Sequence, residues 1–182
     1  MPELPEVETI RQNLRKGNHD HPSLLGMTII NPQLLWARSL AVPSPERFLV
    51  SITGQTIREI DRRGKYLVFR LNTDNMLVHL RMSGDICVER QIDLMSPYSR
   101  LALDLDSGYQ AKNKDGVKWR LVFQDPRKFG RVWFVTDPSE VLSSLGPEPL
   151  DPDFRAGDFY QLLQSCVKLI LKPLPESPYF SF

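Results

Sequence analysis

Apolar residues follow a helical period over the first sixteen positions and then, from about residue 27, recur mostly at every second position. Val7, Ile10 and Leu14 form a stripe that docks one face of a helix on a core. Pro5 suits a first helical turn, Glu6 and Glu8 lie where the dipole favours anions, and Arg11, Arg15 and Lys16 load the other end before Gly17. From about residue 27 to about 136 the pattern is β. Leu101, Leu103 and Leu105 alternate with Ala102, Asp104 and Asp106, and Val117, Trp119, Leu121 and Phe123 alternate with Lys118, Arg120, Val122 and Gln124. KYLVFRL and NMLVHLRM read as neighbouring strands joined across Asn72 to Asn75. Many short strands separated by turns predict a sandwich or barrel and not a parallel α/β sheet.

After Asp137 the texture changes. LGPEPLDPDF is a proline-punctuated connection, FYQLLQSCVKLILK has helical spacing at Phe159, Leu162, Leu163 and Cys166, and PLPESPYFSF is a run that no regular helix traverses. The expected fold class is α+β, mainly β. An N-terminal helix packs on an antiparallel β-sandwich over 1–136, followed over 137–182 by a linker and an incomplete helical segment.

Composition narrows the function classes. The 182 residues are 41% hydrophobic and 25% charged, as in a globular protein with a core. The formal net charge is only +1, so a polyanion site has to be a local patch. Arg58, Arg62, Arg63 and Lys65 form such a cluster in sequence. Cys87 and Cys166 are far apart and in no C-x-x-C arrangement, which gives neither a disulfide framework nor a zinc site. An acidic, proline-bearing start is not a signal peptide, and no run approaches the length of a membrane span, so the expected location is the cytoplasm. His79 reads as a structural hydrogen-bonding histidine, and Trp36, Trp119 and Trp133 as core.

MPELPEVETI holds the most informative chemistry. Proline behind the initiator permits removal of Met1, which leaves a secondary amine. An α-amino group titrates near pKa ~8, against ~10.4 for lysine, and is therefore far more often an uncharged nucleophile at neutral pH. Its attack on a sugar C1′ gives an iminium with no N–H proton to lose, and this acidifies the C2′ hydrogen for elimination of a 3′ phosphate. Glu3 and Glu6 lie at the mouth of the same helix, suited to shuttling protons and orienting the amine. A well-capped helix start accounts for the same residues without any chemistry, and from these residues alone both readings stand.

MPELPEVET, RRGKYL at 62–67, HLRMSG at 79–84, QDPRKFG at 124–130 and LGPEPL at 145–150 together resemble, in order and spacing, formamidopyrimidine-DNA glycosylase. The Pro-Glu-Leu-Pro start is similar to that branch and not to the endonuclease VIII branch with its Pro-Glu-Gly-Pro run. The resemblance covers residues 1 to about 154. It implies that Pro2 forms the Schiff base, that Glu3 donates a proton in the glycosylase step, that Glu6 is a functional acid, and that Lys65 acts in β-elimination and touches a phosphate. It further implies that Met82, Arg127 and Phe129 fill the void left by a rotated nucleotide, as a flexible apolar chain, a multi-donor guanidinium and an aromatic wedge are suited to do. Arg63, Tyr98, Arg100 and Lys168 are the remaining expected DNA contacts, Tyr98 and Arg100 standing where relatives carry a His-x-His stretch.

The resemblance departs after LGPEPL. LILKP at 169–173 is similar to the start of an element of the family's helix-two-turn-helix clamp. Neither the G-x-G-N-I-Y run of that clamp nor the four-cysteine zinc finger follows, so no metal or cofactor is expected from this chain. Clamp contacts carry much of the non-specific affinity, which is only about 10⁻⁴ to 10⁻⁶ M for this class at physiological salt. The expected function is excision of oxidised purines (8-oxoguanine, formamidopyrimidine) with β,δ-elimination of the strand. The expected partner is duplex DNA carrying such a purine or an abasic site, with no membrane involved and a monomer as the default state, the helical segment 158–171 offering a surface for association. The alternatives are a catalytically silent DNA- or partner-binding remnant and, from a third class, a β-sandwich module unrelated to DNA.

Overall fold

A computed structural model describes residues 2–107, 118–148 and 151–170, with the backbone alone for 165–170. Met1, Val117 and the PLPESPYFSF run at 173–182, on which expectations rest, lie outside the described residues, as do the side chains of Cys166 and Lys168.

The first helix, α1, spans Leu4–Lys16. Glu6 accepts a hydrogen bond from the Glu3 backbone N–H at 3.0 Å, one half of a capping box that fixes where the helix begins. Val7 and Leu14 are 0% and 2% exposed, so the apolar stripe docks as its spacing requires. Burying each side chain stabilises the docked helix by about 1.5–3 kcal/mol. A second anchor is polar: Arg62 donates from Nε to Glu8 at 2.9 Å, and Glu8 also accepts from Arg11 at 2.6 Å.

Two sheets carry the rest. One is ordered β1 (Thr28–Leu34), β7 (Ser99–Asp106), β8 (Trp119–Gln124), β6 (Asp85–Arg90); the other is ordered β2 (Leu40–Val42), β9 (Arg131–Val135), β5 (Asn75–His79), β4 (Tyr66–Arg70), β3 (Glu59–Arg63). Their inner faces meet in one core, with Leu101, Leu103, Leu121 and Phe123 from the first sheet and Ile60, Phe69, Val78 and Phe134 from the second. This is the expected sandwich. Pairing is antiparallel except for β2, which runs parallel to β9.

Reading 27–136 as β throughout is corrected at one point. Pro45–Ile52 is a helix, α2, in which Ser44 caps the Arg47 N–H at 3.4 Å and Pro45 takes the first position. Phe48 and Ile52, four apart, are both buried, and Phe48 meets Phe134 edge-on at 5.5 Å between centroids.

The outer face of the four-stranded sheet hides a polar group. Asp104 and Arg120 are a cross-strand pair, 1% and 7% exposed, joined by a 2.7 Å hydrogen bond from Arg120 Nε. Asn31 and Gln91 donate to the other carboxylate oxygen at 2.9 and 2.8 Å.

A short helix, α3 (Ser139–Leu142), lays Val141 and Leu142 over Val68, Leu77 and Val135 on the outer face of the five-stranded sheet. The first compact unit accordingly runs to Leu145, past the expected boundary at 136. The second, from Gly146, contains α4 (Ala156–Ile170), begun by a 2.9 Å bond from the Arg155 N–H to Asp158. Phe159, Tyr160 and Leu163 are exposed on it.

Candidate active site

Strand register brings the separated motifs together. Arg63 pairs with Tyr66, Tyr66 with His79, and His79 with Arg131, so the β3–β4 turn, the β5–β6 turn and the β8–β9 turn all leave the same end of the five-stranded sheet. Adjacent strands lie about 4.8 Å apart, which puts the outermost of these turns within roughly 15 Å of each other.

RRGKYL makes the first turn. Gly64 has φ of 56°, a left-handed conformation costly for other residues, and it turns the chain so that Lys65 leaves the sheet beside α1. The Lys65 ammonium pairs with the Glu3 carboxylate, both about half exposed. That ion pair ties the mouth of α1 to the sheet end, and half-buried Pro2 is the next residue toward the terminus.

HLRMSG makes the second. His79 packs edge-on against Tyr66 with centroids 4.6 Å apart. Burial, reinforced by the nearby positive charges of Arg81 and Lys65, pushes its pKa down to about 4. The ring is therefore neutral at pH 7, and its Nδ1 accepts the Arg81 N–H at 3.0 Å, which leaves the proton on Nε2. Arg81 adopts a left-handed φ of 57°, and Met82 beyond it is 45% exposed.

QDPRKFG makes the third. Phe129 is 50% exposed and carries the Arg127 guanidinium over its ring at 5.1 Å from the centroid. Lys128, at a φ of 62°, swings the other way and sets its ammonium 4.0 Å from the ring centroid of Trp36. Trp36 is thus a half-buried platform at this edge, whereas Trp119 and Trp133, also half-buried, pack against buried clusters. Arg131 reaches from the base of the turn to the carbonyl oxygen of Arg38. Arg38, Arg63, Lys65, Arg81, Arg127 and Lys128 make the edge cationic in a chain of near-zero net charge.

Not every expected contact gathers here in the expected way. Of the cationic run before Lys65, Arg58 sits at the far end of β3, its N–H on the Arg70 carbonyl and its Nε on Asn72. Arg62 is turned onto Glu8, whose pKa falls to about 2 chiefly because Arg11 donates to it, with Gln12 and Arg62 adding to the effect against burial. Tyr98 is 50% exposed, but Arg100 is only 8% exposed and donates to the carbonyls of Asp125 (2.8 Å), Pro97 (3.2 Å) and Ser99 (3.3 Å). Arg100 braces the loop that carries Tyr98. Lys168 falls within α4, in the other compact unit.

Asp125 and Ser83 escape motif reasoning, though Asp-Pro is a turn-initiating pair and marks Asp125 as a loop organiser. Among the described residues no three metal-ligating side chains come together, and no helix is long and apolar enough to cross a membrane. A cavity of about 390 Å³ lined by Arg47, Asp74 and Thr136 lies at the opposite ends of β5 and β9.

Comparison with known proteins agrees with this geometry. The formamidopyrimidine-DNA glycosylase N-terminal domain family model matches residues 1–132. The chain is 39% identical over 175 residues to the formamidopyrimidine-DNA glycosylase of Protochlamydia amoebophila, covering 96% of this chain and 58% of that one. It is 40% identical over 159 residues to that of Chloroflexus aggregans, covering 85% and 51%. Among solved structures, Lactococcus lactis Fpg in complex with abasic-site-containing DNA superposes with a TM-score of 0.74 at 28% identity over 90% of this chain and 56% of that one. A variant of the same Fpg with Fapy-dG-containing DNA gives 0.64 at 29% identity over 76% and 45%. The chain spans between half and three-fifths of the length of these curated relatives. With the motifs placed on one edge and the family model matched across both sheets, the chain belongs to the formamidopyrimidine-DNA glycosylase family.

Proposed function

We propose that this chain acts on duplex DNA in the cytoplasm as a glycosylase and abasic-site lyase for oxidised purines, with the Pro2 amine, freed by removal of Met1, as nucleophile. The observation that carries the proposal is the shared sheet end, where the Glu3–Lys65 pair stands with the turns bearing Met82, Arg127 and Phe129. Met82 and Phe129 enter the space a nucleotide vacates, and Arg127 hydrogen-bonds the orphaned base. Arg63, Tyr98 and Lys65 take backbone phosphates.

The chemistry follows from the amine. Pro2 nitrogen bonds to C1′ as the bond from C1′ to the base breaks, the departing electron pair being taken up with a proton from Glu3. The attached nitrogen then gives up its own N–H proton, which is delivered to O4′ as the ring C1′–O bond opens to give the iminium, and Glu6, hydrogen-bonded to the Glu3 backbone, helps hold the amine's position. Loss of the C2′ proton expels the 3′ phosphate, a step in which Lys65 is the proton carrier, and a second elimination expels the 5′ phosphate. Water then hydrolyses the iminium and restores the amine.

Borohydride reduction with an abasic duplex tests this. A covalent adduct is expected, with tandem mass spectrometry placing the added mass on Pro2. No adduct, or an adduct confined to lysines, overturns the assignment, and DNA binding without any adduct supports the silent alternative.

A further inference from the structure

We infer that Asp125 is a positioning residue that makes Met82, Arg127 and Phe129 a single insertion unit, with Ser83 as the link between their two turns; this rests on the reading of the edge as the place where a nucleotide leaves the duplex. Asp125 is 1% exposed and lies under both turns. Its Oδ1 accepts the Ser83 hydroxyl at 2.5 Å and the Arg127 N–H at 3.1 Å, while Oδ2 accepts the Gly130 N–H at 2.6 Å. Its main chain extends the clasp, the N–H donating to the Tyr98 carbonyl at 2.9 Å and the carbonyl accepting Arg100 Nε at 2.8 Å. One residue thus joins the Met82 turn and both flanks of Phe129 through its carboxylate, and the Tyr98–Arg100 segment through its main chain.

Gly130 allows this approach. A Cβ there would lie 2.4 Å from Cζ of Phe123, a core ring only 2% exposed, and 3.2 Å from Asp125 Oδ2. Hydrogen bonds to a buried anion are short and strong, so displacement of one turn drags the other. The tips are consequently held in their relative places before DNA arrives, and no ordering cost falls on the step in which a nucleotide rotates out.

The test uses the full chain and its Ser83→Ala variant, which removes the hydroxyl bonded to Asp125 and, with it, a longer 3.4 Å acceptor for the Arg127 N–H, so that Gly130, which Ser83 does not touch, is the cleaner reporter. Amide hydrogen exchange at Arg127 and Gly130 is expected to quicken roughly tenfold. Borohydride trapping on a duplex whose abasic nucleotide lies within the helix, opposite a base, is expected to fall by a similar factor. Trapping on a duplex whose abasic nucleotide is an unpaired bulge, already out of the stack, should hold. Asp125→Asn, of equal volume, should show a wider split, and Ser83→Ala decides if that variant does not fold. Unchanged exchange at Gly130, or equal losses on the intrahelical and bulged abasic sites, overturns the inference. If the unaltered chain traps neither DNA, the activity reading is what fails, and the exchange measurement alone decides the clasp.

Discussion

Replacing Arg120 by Met should be among the most damaging single changes outside the apolar core. Arg120 donates at 2.7 Å to Asp104 and at 3.1 Å to the Gln91 carbonyl, and its NH1 lies 3.7 Å from a Glu89 oxygen. Burial, the largest influence on Asp104, pushes its pKa up, but hydrogen bonds from Arg120, Asn31 and Gln91 together outweigh it and hold the carboxyl below its ordinary value. Methionine keeps the apolar stem of the side chain and removes the cation, leaving a carboxylate that is 1% exposed with amide donors alone. Breaking a buried pair in this way costs about 3–5 kcal/mol, against a whole-domain stability of about 5–15 kcal/mol. Urea titration at pH 7 should show the loss.

The pH dependence gives a second, signed readout. In the unaltered protein a depressed Asp104 pKa contributes stability above the unfolded value of ~3.9 that is lost only as the pH falls through the lower folded value. In Arg120→Met burial dominates, the folded pKa rises above the unfolded one, and the variant gains relative stability as the pH falls. Glu89, already pushed up by burial, moves the same way. The gap between the two proteins should therefore narrow from pH 7 to pH 5. An Arg120→Met/Asp104→Leu double variant should recover much of the loss, because Asn31 is exposed and can turn its amide to water. A single-variant cost under about 1 kcal/mol, a gap that does not vary with pH, or a double variant worse than the single one refutes the reasoning.

Three further outcomes are expected. Lys65→Ala should alter unfolding free energy by less than about 1 kcal/mol, since its pair with Glu3 is half exposed and screened, while strand cleavage at an abasic site falls roughly a hundredfold and Pro2 trapping persists; parallel losses of stability and cleavage would assign Lys65 to structure alone. His79, held at about 4 against an unfolded value of ~6.5, takes up its proton first in the unfolded chain, so stability should decline as pH falls through that window and the decline should flatten in His79→Gln. Cys87, pushed up to about 11 mainly by burial with help from Glu89 and Asp85, should be alkylated at pH 8 about two orders of magnitude more slowly than a free thiol, measured in a Cys166→Ser background.

Much of the fold is legible because local pattern and tertiary burial agree. The α1 stripe, KYLVFRL and NMLVHLRM all appear where their periods put them. β7 is subtler: Leu101, Leu103 and Leu105 alternate as expected, yet Ala102 and Asp104 are buried as well, because Asp104 finds Arg120, Asn31 and Gln91 on the other face. No single-strand pattern reveals such a cross-strand match. α2 was readable, since Ser44-Pro45 is a helix-start signal, but eight residues inside a long β region are outweighed by their surroundings. At the site, motifs identify the side chains at the tips, whereas Asp125 owes its place to a hydroxyl 42 residues away in sequence, and Trp36 to a lysine that only the folded turn brings over its ring.

The guanidinium resting on Phe129 has a colloidal consequence. A half-exposed phenyl ring beside a half-exposed methionine would ordinarily invite two molecules to stick together at this tip. Arg127 gives the ring a charged, well-hydrated lid while no nucleic acid is present, and like charges on approaching copies repel. The same cation keeps a greasy probe dispersed in water.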